Sequence, residues 1–113
     1  MGSKLQFWDE YLKQRDENEQ LMPGLMSAKN GLTDEAYKEG ALSTRVKRLM
    51  ALAVGLRVGC EACIVGQTQL ALASGATNEE IFETISVATA MGGTPALAEA
   101  GKVMELLKEL GRL

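Results

Sequence analysis

Two cysteines stand three residues apart in the stretch GCEACIVGQTQ, and they are the only thiols in the chain. Cys60-x-x-Cys63 is the spacing of dithiol redox chemistry. A thiol attacks as its thiolate, so the surroundings of each sulfur decide its reactivity. Helical spacing places residues three apart on one face, where two sulfurs can join with little backbone movement. The pattern puts Cys60 near the N-cap of a helix and Cys63 in its first turn. Free N–H groups and the positive end of the helix dipole stabilise a thiolate there. Glu61 lies between the two and opposes the anion if its carboxylate comes close. Gln67, four residues beyond Cys63, occupies a place where a base would serve the dithiol.

The chain has no histidine. This excludes Ser-His-Asp and Cys-His nucleophile pairs and any Cys2His2 zinc site. Two cysteines supply half of a structural zinc site, and no second C-x-x-C completes it. Only a metal shared between subunits would use them so, and neither a bound metal nor a cofactor is expected. Lone cysteines are often small buried hydrophobes. A pair at this spacing, at a helix start, reads instead as redox chemistry.

Helical patterning must position this pair, and it runs from end to end. An N-terminal helix falls within residues 1–20, its pattern running from Lys4 to about Glu17 with Leu5, Trp8, Tyr11 and Leu12 at helical spacing. Pro23 starts a short helix to Lys29, and Asn30-Gly31 reads as its left-handed cap and turn. Thr33 caps a further piece, Asp34 to Lys38. Ser43 or Thr44 opens a helix to Val58, closed by Gly59. Glu61 to Ser74 follows, and the capping box Thr77-Asn78-Glu79-Glu80 starts a helix to about Met91. Gly92 to Pro95 interrupts the pattern before a Leu-rich last helix that ends at Gly111. The expected fold is all-α, a compact domain of about five to seven helices over residues 1–113, its core in 43–100.

Composition narrows the partners. The chain of 113 residues is 46% hydrophobic but only 4% aromatic, which favours helices over sheets. A net charge of −3 gives no basic patch for nucleic acid. No apolar run reaches the roughly 18 to 20 residues a bilayer requires. The N-terminus lacks the apolar core of a secretory signal, so the expected compartment is the cytoplasm, where a C-x-x-C is kept reduced or cycling. A domain this small with two amphipathic terminal helices carries more apolar surface than one core uses, which favours a homo-oligomer.

The run RVKRLMALAVGLRVGCEACIVGQTQLALASGATNEEIFETISVATAMGGTPALAEA resembles the carboxymuconolactone decarboxylase superfamily, and within it the alkylhydroperoxidase D-like branch. The shared pattern is a charged helix start, an Ala/Val-rich run, GC-E-x-C, GAT-x-E-E-I and MGG-x-P-A, in that order over residues 43–100. PGLMSAKNGLTDEAYKEGALS resembles the lead-in. The resemblance implies a helical trimer or hexamer whose dithiol reduces peroxides or exchanges disulfides, with a dithiol protein as electron donor. It implies that Cys63 attacks peroxide and Cys60 resolves the product as a disulfide.

Two positions depart from the family's relay. Its glutamate, twelve residues before the first cysteine, is replaced by Arg48. Its histidine, four residues after the second, is replaced by Gln67. Neither takes up a proton near neutral pH. An antiparallel hairpin of the two central helices would bring Arg48 toward Gln67, with the cysteines near the open end. Arg48 there would assist a thiolate electrostatically, or it would be one charge of a solvated face with Arg45 and Lys47. Three functions are therefore weighed: a dithiol peroxidase or disulfide reductase with altered proton chemistry, a non-catalytic oligomeric binding or scaffold protein, and, least favoured without histidine, a lactone decarboxylase.

Overall fold

The computed structural model describes residues 3–113; Met1 and Gly2, the start of the expected 1–20 and 1–113 spans, lie outside the described residues. Six helices follow in order: α1 (Lys4–Leu21), α2 (Pro23–Tyr37), α3 (Thr44–Val58), α4 (Glu61–Ala73), α5 (Asn78–Gly92) and α6 (Thr94–Glu109). No strand occurs among the described residues, and none of these helices is long and apolar enough to cross a membrane.

The helix starts follow local chemistry. The Ser43 hydroxyl accepts from the Val46 N–H at 3.1 Å and opens α3. At α5 both halves of the capping box form: the Thr77 hydroxyl accepts from the Glu80 N–H at 3.1 Å, and a Glu80 oxygen accepts from the Thr77 N–H at 2.9 Å. Gly59, at φ 78°, adopts the left-handed conformation that turns the chain from α3 into α4.

Two expectations are corrected. Pro23–Lys29 and Asp34–Lys38 are not separate pieces but one helix, α2, running through Asn30 and Gly31. Gly31 does not take a positive φ, so no left-handed cap forms there. A glycine inside a helix costs only about 1 kcal/mol relative to alanine, which tertiary contacts readily offset. Thr33 is accordingly a helix-interior residue. α1 also continues one turn past Glu17, to Leu21.

The core lies among α3 to α6. Leu52 and Leu56 of α3 meet Ile64 of α4, Ile81 and Ile85 of α5, and Val103 and Leu107 of α6. α1 contributes no buried residue and α2 only Met26. These two helices form an outer layer on the four-helix core, and α1 is held largely by polar ties. Glu109 of α6 accepts from the Lys4 and Leu5 backbone N–H groups at 2.8 and 3.0 Å. Those hydrogen bonds hold its carboxyl below the usual 4.5. Lys4 pairs with Glu61 at 2.5 Å. That bond raises the Lys4 ammonium above its ordinary range, and the stability linked to this shift is lost as pH rises through the raised value.

The Glu109 tie has the opposite sign. Its contribution is present above 4.5 and is lost as pH falls through the lowered folded value. Acidification should therefore loosen α1 and shift the emission of Trp8, the single tryptophan, to the red. In Glu109→Gln that acid step should shrink, with Trp8 already more exposed at neutral pH. An unchanged acid transition in the variant would place the loosening elsewhere.

Candidate functional site

The α3–α4 hairpin builds the site. Its two helices run antiparallel, as paired contacts at both ends show. Near the turn, a Cβ added to Gly55 would lie 3.1 Å from Cys63 Cβ. Further down, Arg48 Nη1 donates to Gln67 Oε1 at 3.2 Å. The two substituted relay positions thus meet each other, as the hairpin geometry expected.

Cys60 is the N-cap of α4, and its sulfur accepts from the Cys63 N–H at 3.2 Å. The two cysteines are joined as a disulfide with Cα atoms 5.2 Å apart. Cys63 is exposed and Cys60 half-buried. Glu61, the expected opponent of a thiolate, is engaged by Lys4 and is not among the residues that line the cleft beside the sulfurs. The ion pair with Lys4 offsets its charge.

That cleft, of about 630 Å³, lies between the α3–α4 hairpin and the outer layer of α1 and α2. Cys60, Cys63, Arg48 and Gln67 all line it. Arg48 is not one charge of a solvated face. Its guanidinium carbon lies 3.7 Å from the centre of the Tyr37 ring, so a cation–π contact and the Gln67 hydrogen bond fix it together. Arg45 instead pairs with Glu80 of α5, and the Lys47 ammonium donates to the Lys38 carbonyl at 2.6 Å.

Several lining residues escape reasoning from the dithiol outward. Tyr37 supports Arg48 from α2. Trp8 of α1 lies over Gly66: a Cβ there would approach its ring to 2.7 Å. Trp8 also stacks on Tyr11, with ring centres 5.2 Å apart. Arg15 and Lys29 complete the cationic lining. The one available signal was the spacing of Trp8, Tyr11 and Arg15, which share a helical face. No cluster of three or more potential metal ligands occurs among the described residues.

A helical layer over a hairpin that presents a C-x-x-C at the start of α4 defines the class. The chain belongs to the carboxymuconolactone decarboxylase family, whose sequence model matches residues 23–106. The arrangement is consistent with the alkylhydroperoxidase D-like branch. A carboxymuconolactone decarboxylase family protein of Legionella pneumophila, solved in its apo form, superposes with a TM-score of 0.89 at 32% identity. The match spans 94% of this chain and 95% of that one. An uncharacterised protein, protein 4 of the cox locus of Paracoccus denitrificans, is 40% identical over 79 residues, 70% of this chain and 71% of its own. An uncharacterised protein of Cupriavidus necator is 35% identical over 85 residues, 75% of each chain.

The seat of Trp8 on Gly66 is testable. Gly66→Ala should force the ring away and destabilise the fold by about 1–3 kcal/mol, the usual cost of overpacking. Trp8→Leu in the same chain should recover most of the loss in denaturant titrations. Equal effects of Gly66→Ala with and without Trp8 would remove this contact from the account.

Proposed function

We propose that the chain is a thiol–disulfide oxidoreductase of the alkylhydroperoxidase type, using Cys60 and Cys63. The observation that carries this reading is a joined cysteine pair at the start of α4, opening on a cleft that also holds the Arg48 guanidinium. In the reduced protein, the Cys63 thiolate attacks the terminal oxygen of a hydroperoxide. A sulfur–oxygen bond forms as the O–O bond breaks, and the departing alkoxide takes up a proton as the alcohol. Cys60 then attacks the Cys63 sulfur, the disulfide closes and water leaves. The dithiol loses two electrons and the peroxide gains them. A dithiol donor protein returns the pair to the reduced state.

Exposure favours Cys63 as the attacking thiol and half-burial favours Cys60 as the resolving one, which agrees with the roles the family resemblance implies. The activation differs from a base-assisted relay. A guanidinium stays protonated and removes no proton. It stabilises the thiolate by charge, alongside the N-terminus of α4. Gln67 holds the guanidinium in place without exchanging a proton.

Reduced protein should react with an alkyl hydroperoxide and form the Cys60–Cys63 disulfide at one equivalent. Cys60→Ser should accumulate a trappable sulfenic acid on Cys63, and Cys63→Ser should stop turnover. Arg48→Met should slow thiol oxidation roughly tenfold at neutral pH and move the rate profile to higher pH, because removing the cation disfavours the thiolate. A dithiol inert to peroxides and disulfides in the folded protein would leave the non-catalytic scaffold reading. The doubly substituted Cys60→Ser, Cys63→Ser chain would then keep its biological role.

A homo-oligomer is part of the same proposal. Met50, Val54 and Val58 form an exposed stripe on α3, beside Val87 and Met91 of α5, the latter 92% exposed. A groove of about 470 Å³ between these helices is lined mostly by apolar side chains. Large exposed apolar patches mark association surfaces. The chain should sediment as an oligomer at micromolar concentration, and Val87→Lys should reduce it to smaller species. A monomeric parent protein would refute the assembly.

A further inference from the structure

The cleft beside the dithiol is far larger than a small peroxide requires. At about 630 Å³ it is on the order of twenty times a water molecule's share of the liquid. Its charge also runs against that of the whole chain. The protein carries 15 acidic and 12 basic residues, yet Arg15, Lys29 and Arg48 line the cleft against one carboxylate, Asp34. None of the three cations forms an ion pair among the described residues. Arg48 is committed to Gln67 and Tyr37. Arg15 is not: its Nε is buried and has no hydrogen-bond partner among the described residues. A buried guanidinium N–H without an acceptor is unfavourable, and a carboxylate supplies an acceptor in matching fork geometry.

The positions along the cleft give a length. Lys4 meets Glu61 and Trp8 meets Gly66, so α1 and α4 run alongside each other in the same direction. Gly66 lies about 4.5 Å along α4 from Cys63, and Arg15 about 10 Å along α1 from Trp8, at 1.5 Å per residue. Arg15 and Lys29 are each seven residues from Met22, the joint between α1 and α2, and both line the cleft. The two uncommitted cations therefore sit toward one end and the sulfurs toward the other, roughly 15 Å apart by that rise. Between them run Trp8, Tyr11 and Leu70, an apolar and aromatic surface. α1, which provides Trp8, Tyr11 and Arg15, precedes the residues 23–106 that match the family.

We infer that the cleft binds a long-chain carboxylate, with its anionic end on Arg15 and Lys29 and its chain along Trp8, Tyr11 and Leu70. Resting on the peroxidase reading above, this makes the substrate a long-chain fatty-acid hydroperoxide whose peroxide group lies well along the chain from the carboxylate. The reaction converts R–OOH to R–OH and water as the Cys60–Cys63 dithiol becomes the disulfide, and the dithiol donor named above restores it.

Two readouts separate the parts. First, an unreactive saturated long-chain fatty acid, below its critical micelle concentration, is titrated while Trp8 emission is followed. Saturable binding is expected, weakened roughly ten- to a hundredfold in Arg15→Met, the range for losing a charge-assisted hydrogen bond. Arg15→Lys should restore part of it. Lys29→Met should weaken it independently, should Arg15→Met fail to fold. Absence of saturable binding, or binding indifferent to both substitutions, overturns the site.

Second, reduced protein is given a fatty-acid hydroperoxide and its methyl ester. The acid should be preferred by roughly tenfold or more in kcat/KM, mainly through KM, and the ratio should fall toward one in Arg15→Met. Equal rates for acid and ester overturn the substrate assignment. Failure of every peroxide, including hydrogen peroxide, to oxidise the dithiol overturns the peroxidase reading instead, and the fatty-acid titration still decides the binding site.

Discussion

The close approach of α3 to α4 at Gly55 is the constraint on which the dithiol depends. A Cβ at that position would lie 3.1 Å from Cys63 Cβ and 3.5 Å from its carbonyl carbon. Any side chain there pushes on the first turn of α4, the turn that carries both cysteines. A glycine inside a helix costs about 1 kcal/mol in propensity. Leu52 and Leu56 on the same helix, fully buried with Ile64 of α4, offset that cost through apolar burial. Gly59 then turns the chain within one residue, which delivers Cys60 to the N-cap rather than to an extended loop. Position, dipole and disulfide reach all follow from two glycines in one hairpin.

Arg48 and Gln67 occupy the middle of the same hairpin and alter its chemistry as a pair. A carboxylate and an imidazole placed here would pass a proton. A guanidinium and a carboxamide hold each other in a fixed orientation instead. Neither group changes charge near neutrality, so the field at this wall of the cleft does not vary over the physiological pH range. Tyr37 makes the arrangement firmer by placing an aromatic face under the cation. The pair therefore sets a fixed positive charge on the wall of the cleft.

The sequence was most legible where local rules and tertiary structure agree. The capping box at Thr77, the left-handed Gly59 and the Cys60 N-cap are each set within a few residues, and each sits where the pattern placed it. The spacing of Arg48 and Gln67 sufficed to forecast their meeting, because two packed antiparallel helices have a fixed rise. Asn30-Gly31 misled for the opposite reason. Its local preference for a turn is about 1 kcal/mol, too weak to break a helix that its surroundings hold. The aromatic and cationic walls were hidden by distance. Trp8 and Gly66 are separated by more than fifty residues in the chain, and nothing local to either announces the other.

The division between core and outer layer explains how such walls are added to a fixed scaffold. α3 to α6 bury the large aliphatic side chains and hold the sulfurs in place. α1 buries none, and its hold comes from Glu109, from Lys4 with Glu61, and from one indole ring over Gly66. Elements with few buried apolar contacts open at lower free-energy cost than the core. Substitutions on α1 therefore reshape the cleft without disturbing the hairpin that sets the dithiol. The layer with the fewest buried apolar contacts is also the one that forms the outer wall of the cleft beside Cys63.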